Sequence, residues 1–254
     1  MKTGLEFLLQ NSARYNDFGR TGLIINPTSI DQNYNLSIDL LHSNVNFNIS
    51  TLFGPEHGIR AAAQDMISVT NAIDPLSELP IFSLYGESFD SLSPTAEQLN
   101  QVDTLIFDIQ DIGSRYYTYA ATMALCMIEA KKFDKRFVVL DRPNPIGGCQ
   151  VEGGGLDPGL ENFCALYPIP QRHGLTVGEL AKLFNTTFAI GCELTVIPMI
   201  DWQRTSYFDQ IDLPWVMPSP NMPTLDTAIV YPGMCLIEGT ELSEGRGTTR
   251  PFEL

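Results

Sequence analysis

Five short apolar runs punctuate the first 145 residues: GLIINP (22–27), VNFNISTLFGPE (45–56), LPIFSLYG (79–86), DTLIFDIQD (103–111) and RFVVLDRPNP (136–145). Runs of this length, rich in β-branched and aromatic residues, read as strands. Helical patterns at 36–41, 95–101 and 117–131 separate them. Such alternation restricts the chain to an α/β fold, a mainly parallel sheet with helices on both faces. The 117–131 segment is apolar nearly all round, through Ala120, Met123, Leu125, Met127 and Ile128, so it should be buried on most sides. Three runs stop abruptly in charged and amide residues, beside Glu56, Asp108 and Asp111, and Asp141. Open parallel sheets bind ligands just beyond the carboxyl ends of their strands, and these groups would gather there.

The texture changes after Pro145. IGGCQVEGGGLDPG reads as a long loop, and a second lobe is expected over residues 148–254, after a first lobe of residues 1–147. Thr176 and Glu179 have capping-box spacing ahead of an amphipathic helix whose apolar face includes Leu180, Leu183, Phe184 and Phe188. CELTVIPMI, from Cys192, reads as a strand. The proline-punctuated segments WVMPSPNMPT and AIVYPGMCLIEGT are read as too broken for long helices. SEGRGTTRPFEL has the content of a functional loop with no further element to pack on it, so the expectation is a truncated second lobe.

Charge narrows the partners. Fifteen basic against thirty acidic residues give a net charge of -15, which repels a phosphate backbone and anionic lipid alike. Neither nucleic acid nor membrane insertion is expected, and no stretch approaches the ~20 apolar residues of a span. An anionic ligand would need a local arginine cluster. Five cysteines without metal or redox spacing are expected to be reduced and mostly buried. The first eleven residues lack a basic start and an apolar core, so the chain as written reads as cytoplasmic, or as periplasmic or exported if a leader has been removed. The oligomeric state is not legible.

The strand-end clusters carry the chemistry. In Gly-Pro-Glu-His-Gly, Pro55 and the glycines present Glu56 beside His57; Glu56 suits a general acid, or equally a helix cap or a partner of Arg60. Asp108 follows the run TLIF, as in phosphohydrolases, but Gln110 stands where a second aspartate would be; a Mg-dependent phosphohydrolase is the lesser alternative. Arg115 with Tyr116, Tyr117 and Tyr119 suits either a sugar grip or plain core. Asp141, Arg142 and Asn144 are held extended by Pro143 and Pro145, and Arg142 paired with Asp141 is the structural reading. No phosphate loop, metal-ligand spacing or serine elbow occurs, so no cofactor is expected. Paired carboxylates acting without a cofactor point above all to glycoside hydrolysis.

GLIINPTSI, LFGPEHGIRAAAQ, FDIQDIGSRYYTY, VVLDRPNPIGG, PIPQRHGLTVGELA, WVMPSPNMPT and EGTELSEGRGTTRPFE, in this order over nearly the whole chain, resemble the exo-β-N-acetylmuramidase NamZ family. The resemblance implies a Rossmann-like lobe joined to a second lobe, here an incomplete α+β one, with the active site between them. It implies release of N-acetylmuramic acid from the non-reducing end of peptidoglycan fragments, with muramyl saccharides as partners and neither nucleotide nor metal. By position, Glu56 is then the catalytic acid, with Asp108, Asp111 or Glu244 as its partner. Arg142 and Arg246, then Arg60, become choices for gripping the lactyl carboxylate, and Asn144, His173 and Asn221 for sugar hydroxyls or the acetamido group. Family members usually continue past the PFE motif, and they typically carry Asn where this chain has Glu241, beside Glu244. An inactive relative that binds muramyl ligands is the alternative from another class.

Overall fold

The computed structural model describes residues 1–55, 59, 72–86 and 88–254. Its strands are β1 (Arg20–Ile25), β2 (Asn48–Gly54), β3 (Ala72–Ile73), β4 (Pro80–Ser83), β5 (Thr104–Asp108), β6 (Arg136–Leu140) and β7 (Glu193–Ile197). They form one sheet in the order β3-β4-β2-β1-β5-β6-β7. Every neighbouring pair is parallel except the short β3–β4 edge. The α/β fold with a mainly parallel sheet is thus as expected. The chain builds outward from β1 through β2 to β4, then returns to the other side of β1 with β5. That reversal puts a topological switch point between the carboxyl ends of β1 and β5, where such sheets bind ligands.

Side-chain alternation explains why the strands are apolar throughout. Leu105 and Phe107 of β5 and Phe137 and Val139 of β6 join the core of one face. Ile106, Val138 and Leu140 join the core of the other. A sheet buried on both faces needs near-continuous apolar strands. The helices are α1 (Gly4–Gln10), α2 (Ser37–His42), α3 (Ala96–Leu99), α4 (Tyr119–Lys132), α5 (Val177–Thr186) and α6 (Leu225–Met234). Residues of α4 and α5 lie in the first core, those of α1 and α2 in the second. The burial of α4 from Tyr119 to Met127 matches its all-round apolar pattern, and Lys131 and Lys132 close its last turn. Among the described residues no helix is long and apolar enough to cross a membrane.

Three elements differ from the sequence reading. Helix α1 was not anticipated, although Thr3 and Glu6 form a complete capping box: the Thr3 N–H donates to the Glu6 carboxylate at 2.7 Å. Strand β7, from the segment assigned to the second lobe, is the seventh strand of this same sheet, so the 147/148 division falls between neighbouring strands. The segment AIVYPGMCLIEGT, read as too broken for long helices, supplies residues 228–234 of the ten-residue α6, whose start Thr224 caps and near whose end Pro232 falls, where one lost hydrogen bond is tolerated.

Two glycines set how closely helices approach the sheet edge that carries the site. A Cβ on Gly4 would lie 2.4 Å from the Asp141 nitrogen and 2.7 Å from the Ile197 oxygen, both backbone atoms. A Cβ on Gly178, in the first turn of α5, would lie 2.6 Å from Val196 Cγ1 and 2.8 Å from Asp141 Cγ. Gly4→Ala should therefore destabilise the fold by about 1–3 kcal/mol through overpacking. Gly154→Ala, with open space around the added atom, should stay within about 0.5 kcal/mol of the parent. Urea unfolding followed by tryptophan fluorescence checks both, and equal midpoints for the two variants would contradict this account.

Candidate functional site

The carboxyl edge of the sheet is tied together by buried polar groups. Arg142, just past β6, binds Asp108 at the end of β5 with both arms of its fork: Nε to Oδ1 at 2.6 Å and Nη2 to Oδ2 at 3.0 Å. The same Nη2 donates to the Ile30 carbonyl at 3.0 Å, in the loop after β1. Both side chains are buried, Asp108 completely. The structural bridge thus joins Arg142 to Asp108, not to its neighbour Asp141, since successive residues leaving a strand point apart. Gln110 completes the seam: its Nε2 donates to the carbonyls of Asp111 and Pro143, both at 2.7 Å, and its N–H donates to Thr28 Oγ1 at 2.9 Å. Ser29 Oγ donates to the Asp108 carbonyl. Among the described residues Arg142 and Gln110 line a niche of about 10 Å³, room for about one water.

Asp111 and His173 form a second buried pair. The Leu175 N–H donates to His173 Nδ1 at 3.1 Å, which leaves the ring proton on Nε2, 3.2 Å from Asp111 Oδ2. That oxygen also accepts from the Gly113 N–H at 2.7 Å, whereas Asp111 Oδ1 is buried without a hydrogen-bond partner. Asn144 spends both ends of its amide on backbone, donating to the Leu175 carbonyl at 3.0 Å and accepting from the Ile146 N–H at 3.1 Å. Arg115 donates through Nη1 to the carbonyls of Gly154 and Ile169, at 3.1 and 2.5 Å, and so fastens the glycine-rich loop to the start of α4.

Asp141 does other work. Its carboxylate accepts from the Gly178 N–H at 2.8 Å and the Thr176 hydroxyl at 3.2 Å, satisfying the first turn of α5. Burial outweighs these bonds and, with the nearby Glu179 charge, pushes its carboxyl up to about 6.

Beyond this seam opens a cleft of about 610 Å³. Tyr116, Tyr117 and Tyr119 line it from the start of α4, Phe163 and Cys164 from the loop after β6, and Asn221 and Met222 from the segment before α6. Tyr231, Glu238, Arg246 and Phe252 also form part of its wall. The rings brace one another edge to face: Tyr117 against Tyr119 at 5.1 Å, Tyr117 against Tyr231 at 5.8 Å, and Tyr231 against Phe252 at 4.8 Å. Burial holds the Tyr117 and Tyr231 hydroxyls well above their ordinary range, Tyr117 also sensing Tyr119, Tyr231 and the charge of Asp111, so both remain donors. Arg246 bonds Glu238 at 2.7 Å and Glu244 at 3.0 Å, with its guanidinium 5.3 Å from the Phe252 ring centre. Aromatic faces with an arginine, an asparagine and carboxylates suit a polar ring compound such as a sugar.

Of the residues expected from sequence, Arg246 and Asn221 line the cleft, and Glu244 is bonded to Arg246. Asp108, Asp111, Arg142, Asn144 and His173 gather at the sheet edge but are bonded to one another or to backbone. Arg115 is occupied by loop carbonyls. Glu56, His57 and Arg60 lie outside the described residues. Sequence reasoning missed Phe163, Tyr231, Glu238 and Phe252. Phe252 and Glu238 had a signal, their place in the motif EGTELSEGRGTTRPFE.

Residues 21–226 match a family model described as exo-β-N-acetylmuramidase NamZ, N-terminal, and residues 229–254 match its C-terminal counterpart. The chain is 49% identical over 254 residues to the peptidoglycan β-N-acetylmuramidase NamZ of Bacillus subtilis (strain 168), covering 100% of this chain and 61% of the relative. Two crystal structures of DUF1343 family proteins from Bacteroides fragilis NCTC 9343 superpose with TM-scores of 0.91 and 0.84, at 40% and 34% identity. Each alignment covers 99% of this chain, and 64% and 65% of the respective structures. The chain therefore spans about three fifths of the length of the curated relative.

Two outcomes follow from the buried charges. Asp108→Asn leaves the Arg142 charge uncompensated in the interior and should cost about 3–5 kcal/mol in chemical denaturation; a loss below about 1 kcal/mol would mean that the pair is dispensable. The Asp141 carboxyl titrates higher in the folded chain than its ordinary 3.8, so its contribution to stability is full below that pH and is lost as pH rises through about 6. Asp141→Asn cannot ionise, and between pH 4 and pH 7 its stability relative to the parent should rise by on the order of 2–3 kcal/mol. A pH-independent difference would refute the assignment.

Proposed function

The chain belongs to the exo-β-N-acetylmuramidase NamZ family, and we propose that it is an exo-acting glycoside hydrolase releasing N-acetylmuramic acid from the non-reducing end of peptidoglycan fragments. The observation that carries the reading is the 49% identity to the Bacillus subtilis muramidase over every residue of this chain. The cleft supports it independently, since a wall of tyrosines with Arg246 and Asn221 offers stacking faces, a cation for a lactyl carboxylate and an amide for hydroxyl or acetamido groups.

In this reading Glu56 protonates the leaving oxygen. The partner carboxylate is Glu244, held by Arg246 Nε at 3.0 Å. Asp108 is set aside, because both of its oxygens are bonded to Arg142 within a fully buried pair. The same engagement disfavours an aspartyl nucleophile of the phosphohydrolase kind, which needs an accessible oxygen. It also removes Arg142 as the carboxylate fork. The retaining or inverting outcome depends on whether the two carboxyl groups stand about 5–5.5 Å or about 6.5–9.5 Å apart.

Incubation with a chromogenic β-N-acetylmuramide tests the proposal. Release of the chromophore is expected, and Glu56→Gln should lower the rate by about 10²–10⁴-fold, the range of general acid catalysis. Normal turnover by that variant would remove Glu56 from its role. Saturable calorimetric binding without any product would make the chain a muramyl-binding protein instead.

A further inference from the structure

Among the described residues the cleft lining holds one arginine, Arg246, and two carboxylates bind it unequally. Glu244, which meets Nε at 3.0 Å, is 14% exposed and belongs to a closed loop: the Phe252 N–H donates to the Glu244 carbonyl at 2.6 Å and the Thr248 N–H to that of Gly245 at 3.0 Å. Glu238, which meets Nη2 at 2.7 Å, is 36% exposed and rides on the short turn Cys235–Gly239 that follows α6. The Cys235 thiol is also beside it, with Sγ 3.8 Å from the same Oε1 that Arg246 binds. One carboxylate is anchored by its loop, and the other is the more exposed, on a short turn.

We propose that Glu238 is a resident substitute for a ligand carboxylate, and that an anionic sugar acid enters the cleft by exchanging with it on Arg246 Nη2. This rests on the reading of the cleft as a muramyl site, and it adds a selectivity residue to that reading. The exchange swaps one charge-assisted bond on Nη2 for another of the same kind, while Glu244 keeps its bond to Nε. It also keeps a neutral sugar from gaining anything at this position, because displacing Glu238 without replacing it forfeits an ion pair. The tethered carboxylate competes at a high local concentration, so ligand affinity is lowered by the fraction of time Glu238 holds the arginine.

Calorimetric titration of the full chain with N-acetylmuramic acid and with its lactyl carboxamide distinguishes the possibilities. Glu238→Gln, or Glu238→Ala if the first variant folds poorly, should tighten binding of the acid about 3–10-fold, as expected when a tethered competitor is removed. Binding of the carboxamide should change less than about 2-fold, since it does not compete for the same bond. Glu241→Gln removes the same charge from an exposed neighbour and should also leave the acid within about 2-fold, because solvent screens it. Equal tightening of acid and carboxamide, an equal effect at Glu241, or an unchanged or weaker affinity for the acid would overturn the proposal while leaving the muramyl reading intact. Failure of the folded parent and all variants to bind either compound would overturn both.

Discussion

The bidentate contact between Arg142 and Asp108 holds the site end of this molecule in register. Three neighbouring strands leave the sheet here, and their exits share this one guanidinium: Asp108 closes β5, Arg142 follows β6, and the Ile30 carbonyl belongs to the loop after β1. Burying two charges is costly, and the cost is offset only when geometry is good and the remaining donors are used. Both oxygens of Asp108 and two donor nitrogens of Arg142 are used. Gln110 stitches the same two loops through backbone carbonyls, so the strand ends form a rigid floor on which Tyr116 to Tyr119 and α4 are set.

The cleft above that floor is built on different principles. Its wall is a chain of rings from α4, α6 and the last segment, each packed edge to face on the next. Such contacts fix orientation while leaving apolar faces open to a ring-shaped ligand. Charge enters at one end, where Arg246 lies against Phe252 between two carboxylates. Floor and wall thus divide the labour: ion pairs and amide bonds set the position of the strand ends, and aromatic packing shapes the space above them.

How much of this was legible depended on whether a residue's role was local. Strand positions, the parallel sheet and the caps of α5 follow from periodicity and from short-range hydrogen bonding, both of which leave marks within a few residues. The pairing partner of Arg142 left no such mark. Asp141 is adjacent in sequence, yet Asp108, 34 positions earlier, takes the bond. Likewise Asp111 and Asn144 belong to strand-end clusters visible in the sequence, but nothing local says that their polar atoms face His173 and backbone rather than a ligand. Tyr231 sits in a proline-punctuated segment read as broken, and it was invisible as a cleft residue for that reason. The carboxylate given most weight, Glu56, owes that weight to family position and falls outside the described residues.

The ring wall also has a kinetic side. Tyr117 meets Tyr231, far from it in sequence, and Tyr231 meets Phe252. Phe252 is buried with a left-handed backbone, φ 62°, a conformation costly for a bulky side chain and kept only where surrounding contacts hold it. A backbone held this way by its contacts is released when those contacts open locally. A ligand seated against these rings would therefore act as a clasp on the last segment: its occupancy would slow hydrogen exchange there, making order in residues 244–252 a physical record of whether the cleft is filled.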